Sequence, residues 1–171
     1  MKIFFKRFVQ ILLLIFIIIQ FFRPAKNKSK DISANDITKK YSIPENIQTI
    51  LKTSCYDCHS NNTIYPWYAE IQPIAWWLQN HIKEGKKELN FSEFASYSIK
   101  RQQKKLYEIC GQLKLNKMPL NSYLWIHKNA KLNGQQYEEI IRWASTLMDT
   151  IAIRSSTNKL YDIFPSDSLI K

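Results

Sequence analysis

Residues 55–59 read Cys-Tyr-Asp-Cys-His, and no other five residues of the chain restrict its fold as tightly. Cysteines three apart on one helical turn present both sulfurs to the same side, and the next residue is carried beneath whatever the sulfurs hold. C-x-x-C-H is the attachment pattern of c-type haem: the thiols form thioethers with two vinyl groups, and an imidazole nitrogen reaches the iron. Ile47 and Leu51 lead into the motif and give the incoming helix an oily face. Two other chemistries use the same cysteine spacing. A redox-active disulfide would sit in an alternating βαβ pattern, which this sequence lacks. A zinc site would need a second C-x-x-C or an H-x₃₋₅-H, and neither follows. One covalent haem c is the expectation, with Cys55 and Cys58 attached to it and His59 as the proximal iron ligand.

A chain that wraps such a disc needs apolar helical faces, and the periodicity is helical nearly throughout. The 171 residues suffice for one domain plus an anchor or tail, and only 3 are glycine. Pro44 opens a helix whose apolar stripe is Ile47, Ile50 and Leu51. A second starts at Pro73, with Ile74, Trp77, Leu78, His81 and Ile82 on one face and Gly85 as its stop. Ser92 caps a third, with Ile99, Leu106, Ile109, Cys110 and Leu113 on its inner face. Asn133 caps a fourth and Gln136 stands at its capping-box position. Tyr137, Ile140, Ile141, Ala144, Leu147, Met148 and Ile151 form its inner stripe. The expected fold is all-α, a cytochrome c-like domain of about four helices around one haem, over residues 41–151. Residues 152–171 read as an irregular tail.

Residues 8–22, FVQILLLIFIIIQFF, are apolar apart from Gln10 and Gln20. A fifteen-residue helix covers roughly 22 Å, and snorkelling Lys6, Arg7 and Arg23 would stretch it towards the roughly 30 Å hydrocarbon core. No small-residue cleavage pattern follows. Residues 1–22 therefore read as a signal anchor with a transmembrane helix, and 23–40 as a polar, basic tether. Haem is attached outside the bacterial cytoplasm, so the expectation is a single-pass inner-membrane protein with its domain in the periplasm. The net charge of +11 is concentrated near the start: residues 31–171 carry 18 cations and 14 anions. That is no nucleic-acid footprint. Lys100, Arg101, Lys104 and Lys105 share the outer face of the third helix, by default a solvated face and, more sharply, a dock for an acidic redox partner.

A six-coordinate iron needs a second ligand, and the candidates are Met118, Met148, His81 and His127. Met118 precedes Pro119 in a stiff stretch before the last helix, where a soft thioether is free to face a haem. Met148 continues an apolar stripe and reads as core. His81, on the apolar face of the second helix, is the alternative distal ligand, and His127, which reads as more exposed, shares that runner-up place. Tyr65, Trp67 and Trp77 follow the motif closely and are candidates to wall the haem pocket. Cys110 reads as a buried free thiol. The expected function is single-electron transfer, without catalysis. The alternatives are a haem-based gas or redox sensor and a non-haem thiol–disulfide or zinc protein.

Several separated blocks also resemble a known family. They are Cys55-Tyr-Asp-Cys-His-Ser-Asn61, Tyr65-Pro-Trp-Tyr68, His81-Ile-Lys-Glu-Gly85, Leu89-Asn-Phe-Ser92, Met118-Pro-Leu120, Tyr123 to His127, and Trp143. Over roughly Pro44 to Leu147 the sequence resembles the bacterial haem-binding domain family, small exported monohaem proteins of the cytochrome c type common in the Bacteroidetes. The resemblance implies haem c held by Cys55, Cys58 and His59, with Met118 as distal ligand by analogy with cytochromes c. It does not account for Cys110.

Overall fold

A chain with 3 glycines in 171 residues offers few points where the backbone is easily turned aside, and helices dominate it. The structure, a computed structural model, describes the backbone of residues 1–163 and the side chains of residues 1–156. Among the described residues there are eight α-helices and no strand: α1 (Lys2–Ile19), α2 (Ile37–Lys40), α3 (Glu45–Ser54), α4 (Tyr56–His59), α5 (Ile74–Glu88), α6 (Ile99–Lys114), α7 (Asn121–Leu124) and α8 (Gly134–Ile163). Three 3₁₀ turns, Trp67–Glu70, Phe91–Ser96 and Lys128–Ala130, join them.

The four helices expected from periodicity correspond to α3, α5, α6 and α8, with differences at their ends. Ser92 does not cap α6. Its hydroxyl accepts from the Asn61 backbone at 3.1 Å, and residues 91–96 form a 3₁₀ turn. The cap is Ser98, whose Oγ accepts from the Arg101 N–H at 3.3 Å. Gly85 lies inside α5, which runs on to Glu88. The Asn133 capping box forms as expected: Gln136 N–H donates to Asn133 Oδ1 at 2.9 Å, and Asn133 N–H donates to Gln136 Oε1 at 3.0 Å. From there α8 continues past residue 151 to Ile163, into the stretch read as a tail; residues 164–171 lie outside the described residues.

The core lies where α6 and α8 pack along each other and α3 closes over them. Leu106 and Cys110 of α6, Ile140 and Ala144 of α8, and Ile47 and Leu51 of α3 share it with Phe91 and Phe94 of the 3₁₀ turn. Ile37 of α2 is also fully buried there, so the segment before α3 contributes to the core. Cys110 is a buried free thiol, with Sγ 3.6 Å from the Ile141 carbonyl oxygen.

The amino terminus corrects the reading of residues 1–22. Helix α1 contains Lys2, Lys6 and Arg7, stops at Ile19 and buries none of its side chains. The stretch free of charge within it, residues 8–19, covers only about 18 Å. Among the described residues no helix is long and apolar enough to cross a membrane. The transmembrane helix falls, and with it the single-pass inner-membrane placement with a periplasmic domain. The helix ends because Gln20 turns to the domain: its Oε1 accepts from Gln72 N–H at 2.9 Å, and the Phe22 carbonyl accepts from Trp76 Nε1 at 2.7 Å.

Of residues 23–40, read as a tether, 23–36 lie along the domain and Ile37–Lys40 form α2. Arg23 and Lys26 both pair with Glu70. Asn27 is the main fastening. Its Nδ2 donates to the Ser60 carbonyl at 2.9 Å and to Thr63 Oγ1 at 3.0 Å, and its Oδ1 accepts from Lys86 Nζ at 2.6 Å.

Ile140 is 1% exposed at the α6–α8 contact. Ile140→Ala is expected to lower the unfolding free energy by about 2–5 kcal/mol, as deleting a buried branched side chain does. Urea denaturation followed by circular dichroism measures it.

Candidate functional site

The C-x-x-C-H motif sits at a break between two helices. α3 ends at Ser54, Cys55 leaves the helical region at φ −127°, and α4 is the single turn Tyr56–His59. His59 N–H closes that turn on the Cys55 carbonyl at 2.9 Å.

Helix α5 lies directly on this turn, and Gly85 permits it. A Cβ at position 85 would stand 2.8 Å from the Cys58 carbonyl oxygen and 3.1 Å from Cys58 Cβ. The Gly85 carbonyl in turn accepts from His59 Nδ1 at 2.9 Å, and the Leu89 carbonyl does so at 3.0 Å. Both partners are acceptors, so Nδ1 carries the proton and Nε2 the free lone pair. Burial pushes the His59 pKa below its ordinary value against the pull of these carbonyls. The imidazole is therefore neutral at pH 7 and already in the tautomer that binds a metal through Nε2.

His59 faces a cleft with two lobes, of ≈ 270 Å³ and ≈ 340 Å³. Cys55, His59, Glu88 and Met118 line both, so the two lobes adjoin along these four side chains. Cys58, His81, Pro119, Leu120 and Tyr123 line the first lobe; Leu51, Phe91, Ile109, Leu113 and Ile140 give the second an apolar wall. Met118 comes from the stretch between α6 and α7, far from His59 in sequence.

Burial raises both motif thiols, Cys55 to about 12 and Cys58 to about 11; repulsion between the two sulfurs adds to the rise at Cys55, and the Asp57 carboxylate adds to it at Cys58. Redox-active pairs work through a thiolate of lowered pKa, the opposite shift. Among the described residues no group of three or more His, Cys, Asp or Glu is arranged to hold a metal ion.

The structure thus gathers Cys55, Cys58, His59, Met118 and His81 at one cleft. His81 is at its edge, with Nδ1 2.9 Å from the Trp77 carbonyl and its ring 4.3 Å from the Trp77 ring. The aromatic residues expected to wall the pocket are placed elsewhere. Tyr65 OH accepts from Asn27 N–H and donates to Gln79 Oε1. Trp67 is 76% exposed and Trp77 49%. His127 shares a 2.9 Å hydrogen bond with Tyr68 OH through Nε2. Met148 packs against the core. Lys105 leaves the basic outer face of α6. It is buried at the second lobe, with Nζ 2.6 Å from Glu108 and 3.3 Å from Glu88.

Sequence reasoning missed Asp57, Tyr123, Lys105 and the packing role of Gly85. Of these only Gly85 carries a signal in the sequence, a glycine at the end of a helical stripe, and that signal reads as a stop although α5 runs on to Glu88. Asp57 Oδ2 accepts from Tyr123 OH at 2.8 Å, and both residues line the first lobe.

A neutral imidazole with a free Nε2, a thioether lining the same space, two thiols at its rim and apolar walls fit a haem. The fold and site define a small all-helical haem protein. The chain belongs to the haem-binding domain family, whose model matches residues 14–146. That span takes in the strap fastened by Asn27 as well as the helices. No curated protein and no solved structure matches the chain. Haem is the cofactor this family membership supports.

Gly85→Ala and Gly111→Ala test the contact between α5 and α4. A Cβ at Gly111 meets nothing within 4 Å. Alanine there is expected to stabilise the protein by roughly 0.5–1 kcal/mol, the helix-propensity gain. At Gly85 overpacking outweighs that gain, and a net loss of about 1–3 kcal/mol is expected. Urea denaturation of both variants reads the opposite signs.

Proposed function

We propose that the protein holds one haem c through thioethers from Cys55 and Cys58, ligates its iron with His59 and Met118, and passes single electrons. The observation that carries this reading is the pairing of His59, fixed with Nε2 free, with Met118 on the same two-lobed cleft. The haem supplies a one-electron ferrous–ferric couple.

The chain's own residues set how that couple behaves. The Gly85 and Leu89 carbonyls orient the His59 ring and raise the donor strength of Nε2. A thioether from Met118 favours the ferrous state and raises the potential. Leu51, Phe91, Ile109 and Leu113 offer the haem an apolar wall in the second lobe. Against the thiol–disulfide reading stand the raised pKa values of Cys55 and Cys58, and the zinc reading finds no third side chain arranged with them to hold the ion among the described residues.

The partner is a protein with an acidic face. The stretch 109–137, which contains Met118, carries Lys114, Lys117, Lys128 and Lys131 and no Asp or Glu. Trp125 and Ile126 in the same stretch are exposed. Exposed aromatic and aliphatic side chains within a basic surround suit an interface of this kind.

Cys55→Ala combined with Cys58→Ala is expected to abolish haem that survives denaturing electrophoresis; covalent haem in the double variant would overturn the attachment. His59→Ala is expected to give a high-spin product. Met118→His should keep the iron low-spin and lower its potential, because imidazole favours ferric iron relative to a thioether. Potentiometry and the visible spectrum read both. If Met118→Ala leaves the spectrum unchanged and His81→Ala alters it, His81 holds the sixth position.

A further inference from the structure

The stretch that carries Met118 lines the first lobe of the cleft with Met118, Pro119, Leu120 and Tyr123. Tyr123, on α7, lines the cleft five residues after Met118. Its hydroxyl donates to Asp57 Oδ2 at 2.8 Å. Asp57 lies between the two motif cysteines, and its Oδ1 accepts from the Ile64 N–H at 2.9 Å. One hydrogen bond therefore joins C-x-x-C-H to the Met118 stretch directly. Among the described residues, residues 117–127 have two other side-chain hydrogen bonds to the domain. Tyr137 OH reaches the Met118 carbonyl at 3.5 Å, the limit of a useful hydrogen bond. His127 meets Tyr68 OH at 2.9 Å. His127 is one helical turn beyond Tyr123, and the two rings stack at 4.2 Å with 9° between their planes. The Tyr123–His127 pair thus behaves as one plate, hydrogen-bonded at one end to Asp57 and at the other to Tyr68. Burial, then the Asp57 hydrogen bond, holds the Tyr123 phenol far above its ordinary pKa, so it stays a donor.

We propose that the Tyr123–Asp57 hydrogen bond is a latch: it positions Met118 over the cleft, and its opening exposes the sixth coordination position to a small neutral ligand such as carbon monoxide or nitric oxide. This rests on the reading of Met118 as the distal ligand. Tyr123 is a positioning residue, since it acts through Met118. Opening is a population shift between a closed and an open stretch, and any ligand that needs the open form binds in proportion to its population. Tyr123→Phe removes only the hydroxyl and keeps the ring against His127. Asp57→Asn keeps an oxygen for the Ile64 N–H but faces Tyr123 with an NH2 that can only donate, so the charge-assisted bond is replaced by a weaker neutral one.

The test uses the full chain loaded with haem, with carbon monoxide as the probe. Its association with the ferrous protein is followed by stopped flow, and the far-red sulfur–iron band of the ferric protein is recorded. Tyr123→Phe is expected to speed carbon monoxide association about tenfold and weaken the far-red band, the scale of one lost hydrogen bond to a charged group. Asp57→Asn should act in the same direction. The double variant should be no faster than Tyr123→Phe, because both changes break the same bond. Hydrogen exchange on the loaded chain should show protection lost over residues 117–127 and kept in α6 and α8, which separates a latch from general loosening. If Tyr123→Phe and Asp57→Asn match the parent in rate and band while Met118→Ala opens the site, the latch is wrong and the ligand stands. If Met118→Ala itself changes neither rate nor band, the ligand assignment is wrong and the latch falls with it.

Discussion

The site depends on how closely α5 lies against the single turn of α4. Gly85 sets that distance, because any side chain there would meet the Cys58 backbone. The contact does two things at once. It places both motif cysteines at the cleft, and it brings the Gly85 and Leu89 carbonyls within hydrogen-bond reach of His59 Nδ1. Those carbonyls choose the tautomer. A histidine without them would share its proton between two nitrogens and turn more freely, and would be a poorer metal ligand.

Around this contact the cleft is assembled from segments distant in the chain. The strap held by Asn27 ties down the loop that follows His59, through Ser60 and Thr63. Asp57 reaches the other way, to Tyr123 and the stretch that carries Met118. The second lobe takes its wall from α3, α6 and α8 together, and Lys105 closes one edge of it between Glu88 and Glu108. A buried lysine is costly unless paired, and two carboxylates supply the pairing. These polar groups lie beside an otherwise oily space, which makes the cleft a place with one wet edge and one dry wall.

Much of the helical framework was legible because amphipathic spacing is a local property. The stripes of α3, α6 and α8 and the Asn133–Gln136 capping box each depend on residues within a turn or two of each other. Helix ends were less so. Ser92 and Ser98 are equal as caps in sequence, and Ser92 was taken out of use by Asn61, thirty-one residues away. Lys105 looked like part of a solvent face because the helix offers no hint that Glu88 waits opposite. The apolar run at the amino terminus promised a membrane span on hydropathy; Gln20 and Gln72 end its helix, and three cations sit inside it.

The sequence by itself determined the helical class and the chemistry available at residues 55–59, since both follow from residue type at short spacing. It also marked Met118 as a thioether in the right kind of stretch. Only the tertiary structure decided that Met118 and His59 line the same cleft, that Tyr65, Trp67 and Trp77 stand outside it, and that the imidazole is neutral with Nε2 free. The physical reason is that a ligand pair, a tautomer and a buried charge are all set by groups brought together from distant parts of the chain. Periodicity has no reach over such distances; packing does.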